Sequence, residues 1–471
     1  MASASNDTTK GSGEQEGLGR EAQDWSAEII PRLPQGWQEQ ASRLKAWQRA
    51  REIGSASDLL RGLLAYIYTT HSFAHLAMWS VLIGLAEVSA TDWRRRLQQA
   101  CAWGQWLLQE LLASSSTLAP WVVREGCRRI LLVDGTHLSC QGPKGMVYRV
   151  HTAFDLLAGR LTQLQVTTKH VAERLEIFEI QAGDLLVSDA INSLRERVAW
   201  VKGQRADLLV RFNPKAMPLE EEDGTSIPVL AWLKSRHAPV GRVCSRQVRI
   251  THEGQAFPLR LIGLRLTDEQ RRRAQRKKKR EASRRQKSLS PDTLYLAGWL
   301  LVVTTLPAEG WSEQQVLSLY RARWHIELIF KRIKSLLSMH RLRCETQATA
   351  LPTLVFLLVG WALMEEESSA VRLAMREAIQ QAQHPEDAPS WSPQQPASWW
   401  QPGKSGPLSE WMLAEISVDL LCQQIRGSYT TARYRACLPR LQRFLGCGHR
   451  QRPSLYLQAC AWLGGVAGEE P

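Results

Sequence analysis

Two short apolar runs, RRILLVDGT and GDLLVSDAIN, each end close to an aspartate, Asp134 and Asp189. Short apolar runs bounded by turn residues read as buried strands. Strands alternating with helices call for an α/β core, here starting near residue 127. Acidic residues at the ends of such strands can converge, because ligands in open α/β sheets bind beyond the strand ends. Each aspartate taken alone reads equally well as a turn cap. Two carboxylates that do converge repel one another unless a cation neutralises them, and magnesium suits hard oxygen donors.

The neighbouring segments extend this core. MVYRVHTAFDL and GRLTQLQVTT are β-rich and are separated by the hairpin-like pair Ala158–Gly159. AERLEIFEI reads as a helix, and ADLLVRFN as a strand running into Pro214. Residues 127–214 are therefore expected to form a first part of the core. From 215 to 305 the rhythm changes. GRVCSRQVRI and FPLRLIGLRL read as strands joined by THEGQA, followed by a basic run and the apolar strand LYLAGWLLVVTTL. This reads as an antiparallel, β-rich excursion, after which residues 306–345 return to the core.

A helix is expected over 313–337, opened by a Ser312/Gln315 capping box. At 100° per residue, Tyr320, Arg323, Glu327 and Lys334 fall within about 60° of one another. Leu319, Ile326, Phe330, Ile333 and Leu337 lie on the adjoining face, suited to burial. Arg323 and Glu327 alone could be a simple i,i+4 ion pair, but that leaves Tyr320 and Lys334 on the same stripe unexplained.

The flanks are helical. Residues 1–40 are polar and read as a flexible tail. Residues 41–126 read as a helical domain that contacts DNA or simply packs, with Ser89 and Asp92 marking a helix start. Residues 346–471 read as a C-terminal helical region, a candidate for dimerisation, interrupted by the linker-like HPEDAPSWSPQQPASWWQPGKSGP.

Composition narrows the partner. Sixty Lys and Arg against forty-six Asp and Glu give a net charge of +14. The run RRRAQRKKKREASRRQK, Arg271–Lys287, holds much of the excess. Nucleic acid is the natural partner, since counterion release drives such binding, though a solvated charged helix or loop has the same composition. Nine scattered cysteines without a CxxC pair argue against a zinc finger or disulfide scaffold and suit a reducing cytosol. The polar start carries no signal-peptide pattern. The apolar runs Thr293–Leu306 and Ala350–Met364 fall short of the roughly 20 residues that span a bilayer, so no membrane association is expected.

The segment YRARWHIELIFKRIK supplies Tyr320, Arg323, Glu327 and Lys334, with Trp324 and Phe330 as apolar companions. Together with LLVDGTHL, GDLLVSDAIN and LLVVTTLP, it resembles the bacterial cut-and-paste insertion-sequence transposases of the DDE class that carry a Tyr-Arg-Glu-Lys signature and a β-rich insertion. The likeness covers roughly residues 45–345. It departs at the second motif, where Ala190 and Ile191 stand in place of the frequent glycine and aromatic. The resemblance implies an α/β, RNase H-like core interrupted by the 215–305 insertion. Asp134 would lie on the first strand, Asp189 after the fourth and Glu327 on a late helix. The 138 positions between Asp189 and Glu327, against 55 between the aspartates, leave room for such an insertion.

The resemblance also implies a catalytic triad of Asp134, Asp189 and Glu327 holding two Mg2+ ions, with Mn2+ as a substitute. Tyr320, Arg323 and Lys334 would hold DNA phosphates near the cleaved end. Related enzymes cleave through a DNA hairpin and use a tryptophan to hold a flipped base. Trp232 and Trp299 are candidates for that role, although Trp299 lies in an apolar strand and reads equally as core. The implied partners are double-stranded DNA with terminal inverted repeats and target DNA, met by a homodimer assembled on the DNA in the bacterial cytoplasm, at the nucleoid. A nuclease of the same fold without strand transfer, a non-catalytic DNA-binding protein and a glycosidase using an Asp/Glu pair are the competing readings.

Overall fold

The computed structural model describes residues 24–114 apart from 71, and residues 127–139, 147–337, 346–383, 409–426 and 431–445. The Pro/Trp-rich linker expected at 384–407 and the first 23 residues lie outside these. Eight strands among the described residues form one sheet: β1 (Arg129–Ser139), β2 (Val147–Asp155), β3 (Arg160–Thr168), β4 (Asp184–Ser188), β5 (Asp207–Arg211), β6 (Val243–His252), β7 (Gln255–Arg265) and β8 (Trp299–Thr304). Their order is β3-β2-β1-β4-β5-β8-β7-β6. β1, β4 and β5 run parallel to their neighbours in that set, and the remaining pairings are antiparallel.

Side chains alternate across a strand, and β1 shows the consequence. Ile130 and Leu132 enter one apolar core, while Leu131 and Val133 enter a second on the opposite face. The first face is covered by helices from both ends of the chain. These are α1 (Trp37–Arg43), α2 (Ala56–Tyr68), α3 (Phe73–Leu82), α4 (Ala90–Gln99) and α5 (Cys101–Ser114) from the N-terminal part. The second face is covered by α6 (Arg195–Gly203) and α7 (Val229–Ser235), through Val198, Val201, Trp232 and Leu233. Next come α8 (Asp268–Arg284), α9 (Pro291–Leu296), α10 (Glu313–Ala322), α11 (Trp324–Leu336), α12 (Gln347–Gln383), α13 (Glu410–Arg426) and α14 (Thr431–Leu445).

Several expectations are corrected. Residues 24–40 are not a free tail: Trp25, Ile29 and Trp37 are buried, and Asp24 accepts a hydrogen bond from the Thr431 backbone at 2.9 Å. AERLEIFEI forms only a single 3-10 turn, Leu175–Ile177, because burying Leu175 and Phe178 takes precedence over its helical pattern. LYLAGWLLVVTTL is divided. Ser290 caps α9, with Pro291 favouring its first turn, and β8 starts only at Trp299. The helix expected over 313–337 is two helices meeting at Arg323, where three-residue bonds from Arg323 to Tyr320 and from Ile326 to Arg323 tighten the turn. The strand β1 does not stop at Asp134–Gly135 but runs on to Ser139.

The 215–305 segment joins the sheet through β8, which pairs with β5 on one side and β7 on the other. Its β6–β7 hairpin turns at Glu253 and Gly254, with φ of 48° and 78°, the left-handed pair that a tight two-residue hairpin needs. The Ser312/Gln315 capping box and the Ser89 cap both form as expected.

Helix α12 explains the longest apolar stretch. Ala348–Arg372 is long and apolar enough to cross a membrane, yet 89% of its most apolar window is buried inside the protein. It lies along α5, where Gly104 permits the approach: a Cβ there would come 2.9 Å from Val355. Below α11 sits a buried cluster of four charges. Arg332 pairs with Glu410 at 2.8 Å, Arg372 with Glu365 at 2.8 Å, and Arg372 also with Glu410 at 3.1 Å. Burial alone would raise the Glu410 carboxyl, but Arg372 and Arg332 hold it at about 2. The cluster ties α11 to α12 and α13.

Glu410→Gln leaves two buried guanidinium groups short of counter-charge and is expected to cost roughly 3–5 kcal/mol at neutral pH. A carboxyl depressed below its ordinary 4.5 stabilises the fold above that value, and the contribution disappears as pH falls through about 2. In urea melts, the gap between wild type and Glu410→Gln should therefore narrow across that window. A gap that stays constant down to about pH 2 contradicts the assignment.

Candidate active site

The last paired residues of the parallel strands β1 and β4 are Leu132 and Val187. Asp134 and Asp189 each stand two residues further along. By register they therefore occupy matched positions, Asp134 on β1 and Asp189 just past the end of β4, and adjacent strands in a sheet are about 4.8 Å apart. The turn-capping role expected of Asp189 is formed. Its carboxylate accepts the Ile191 N–H at 2.9 Å and so caps the turn Ala190–Asn192, while the residue sits at the sheet edge beside Asp134. Asp134 is anchored by its own neighbour, Oδ1 accepting the Gly135 N–H at 2.8 Å.

Helices α10 and α11 bring the third acid. Arg323, at the junction between them, donates from Nη1 to Asp134 Oδ2 at 3.3 Å and from Nη2 to Glu327 Oε1. One guanidinium thus bridges the first and third acids. Arg323 also lies over the Tyr320 ring, 5.8 Å from its centroid. Further along α11, Lys334 donates to Thr136 Oγ1 at 2.6 Å. Asp134 and Thr136 share a face of β1 by the two-residue period, so the strand meets both basic residues of the stripe. All four residues of that stripe are brought to one edge of the sheet, but not equally exposed: Tyr320 is buried.

The site also holds an acid that the sequence analysis passed over. Glu173, between β3 and the 3-10 turn, accepts the same Gly135 N–H at 3.2 Å. Its segment had been read as helical, which concealed a carboxylate aimed at β1. Burial raises Asp134 to about 6; Arg323 and the Gly135 N–H pull it down, while Asp189 and Glu327 push it up. Glu173 is raised to about 7 by burial, then by the charges of Asp134 and Asp189. Both shifts have burial as their first cause, with the charges of neighbouring carboxylates adding to it.

As placed, no three His, Cys, Asp or Glu side chains among the described residues stand close enough to hold a metal ion. The donor chemistry nevertheless suits a divalent cation. The groups are carboxylates, and a guanidinium already serves two of them as counter-ion.

The tryptophan candidates fare differently. Trp232 on α7 is 7% exposed and lies under Arg236, and Trp299 is 2% exposed and lies under Arg265. Both belong to the second core, so neither presents a face for a flipped base. Trp324, beside Arg323, is instead 48% exposed, and Ile191, two residues past Asp189, is 52% exposed.

Comparison with known proteins identifies the family. A family model described as a transposase DDE domain matches residues 125–359, which span both aspartates and Glu327. The putative transposase InsL for insertion sequence element IS186A of Escherichia coli (strain K12) is 30% identical over 333 residues, covering 68% of this chain and 88% of the relative. The transposase for insertion sequence element IS421 of Escherichia coli is 30% identical over 334 residues, with the same coverage. Such a family is in general dependent on divalent metal. The chain belongs to the DDE transposases of bacterial insertion sequences, enzymes that act on DNA.

Proposed function

We propose that this transposase cleaves DNA at transposon ends and joins the freed end to target DNA by a cut-and-paste route, with Asp134, Asp189 and Glu327 as its metal-binding carboxylates. The observation that supports this most is the matched register of the two aspartates, one on β1 and one just past the end of the parallel strand β4, with Glu327 joined to the first through Arg323. Two magnesium ions, or manganese in their place, would activate the attacking oxygen and neutralise the departing one. The protein's share of phosphoryl transfer is then positioning and charge.

In this reading Arg323 has two stations. Without a cation it neutralises Asp134 and Glu327; with one, it is released toward a phosphate, which its planar fork clamps bidentately. Tyr320, being buried, serves as the platform under that guanidinium rather than as a direct phosphate donor. Lys334 adds a point charge beside Thr136. Trp324 is the aromatic face at the site that can stack on an exposed base.

The 215–305 segment is a β-rich insertion in the catalytic fold, and α8 is its DNA-facing arm. α8 holds nine Lys or Arg against three Asp or Glu and buries no residue. Its ion pairs, such as Arg271 with Asp268 at 2.7 Å, offset only part of that repulsion, and a polyanion relieves the rest. Two transposon ends require two active sites, so the working form is a homodimer assembled on DNA with terminal inverted repeats, in the cytoplasm at the nucleoid.

Glu327→Gln should abolish nicking of a transposon-end duplex in Mg2+ while leaving its binding nearly unchanged in a gel-shift assay. Cleavage at the wild-type rate by the purified variant contradicts the triad. Cleavage by the wild type without joining to a supercoiled target points instead to a nuclease that lacks strand transfer.

Changing Lys277, Lys278 and Lys279 to Gln should weaken binding alike for all DNA sequences. The slope of log K against log salt should become shallower by about 2–3. An unchanged slope means that α8 lies off the DNA.

A further inference from the structure

Gly135 is a meeting point of two carboxylates. It lies within β1, and its single N–H is shared by two carboxylates, Asp134 Oδ1 at 2.8 Å and Glu173 Oε1 at 3.2 Å. A Cβ at this position would come 2.9 Å from Glu173 Cδ and 3.0 Å from its Oε2. The bare glycine lets the glutamate carboxylate lie directly against the strand, and any side chain here would push it aside.

The approach is built from both sides. Arg149 on β2 donates to the Val171 carbonyl at 2.8 Å, and Leu175 and Phe178 are buried in the second core, so the segment carrying Glu173 is pinned before and after it. Arg323 directs its two ion pairs to Asp134 and Glu327, on the other flank of Asp134. Two carboxylate oxygens drawn to one N–H form a pair of hard donors suited to a divalent cation.

We propose that Glu173 is a fourth carboxylate of the centre, which joins Asp134 in holding the divalent cation. The inference rests on the reading of Asp134 as a metal ligand. A purely structural Glu173 would need only to accept the Gly135 N–H, and a glutamine does that equally well. A metal-holding Glu173 needs its charge.

The test is titration of the full chain with Mn2+ alone, reading free Mn2+ by electron paramagnetic resonance, for wild type, Glu173→Gln, Glu173→Asp and Asp134→Asn. Thermal melts of each variant check the fold. Glu173→Gln is expected to weaken Mn2+ binding at least about tenfold. Glu173→Asp, which keeps a charged oxygen, should recover part of the loss, and Asp134→Asn should lose binding as severely as Glu173→Gln or more. Wild-type affinity in Glu173→Gln with loss in Asp134→Asn overturns the role of Glu173 alone. Wild-type affinity in both overturns the reading of Asp134 as well.

Discussion

Carboxylates brought together at the edge of a sheet must be neutralised, and the catalytic half of this protein is arranged around that demand. Asp134 and Asp189 are placed together by the parallel pairing of β1 with β4, a consequence of backbone hydrogen bonds and two-sided burial rather than of any attraction between them. Glu327 and Glu173 add charge from a helix and a loop. The guanidinium of Arg323 is the cation the chain itself supplies, and together with Lys334 it joins α11 to β1.

The far side of the same helix is fixed differently. α11 presents Arg332 to a buried cluster with Glu410, Arg372 and Glu365, which holds the C-terminal helices in place. Its neighbour His325 is kept neutral, lowered by burial first and by Arg332 next, to about 3. One helix thus faces the acidic edge of the sheet on one side and the buried charge cluster on the other. Changes among the C-terminal helices can therefore reach the position of Glu327 without touching it.

Much of this was legible in the sequence. The apolar runs ending at Asp134 and Asp189, the two capping residues Ser89 and Ser312, and the helical spacing of Arg323 with Glu327 are local patterns, and local patterns survive folding. What escaped was decided by distant partners. The dipeptide Asp134–Gly135 looked like a turn, but β1 runs through it because it stays paired with β2 as far as Ser139, and Glu173 reaches Gly135 from 38 residues away. AERLEIFEI has a helical pattern that burial of Leu175 and Phe178 overrode. The pairing of Arg332 with Glu410 spans 78 positions, and no periodicity reports such a contact. The base-stacking candidates failed for a related reason: composition marks a tryptophan, but only the fold decides which one reaches solvent.

The most direct test of the exchange at Arg323 is a crystal structure of the transposase bound to a transposon-end duplex with Mn2+, with the ion located by its anomalous scattering. The expected result is manganese bonded to both Asp134 and Asp189, with the Arg323 guanidinium moved off Asp134 and onto a DNA phosphate. Manganese bound elsewhere, or Arg323 still bridging Asp134 and Glu327 in the DNA-bound state, would contradict it.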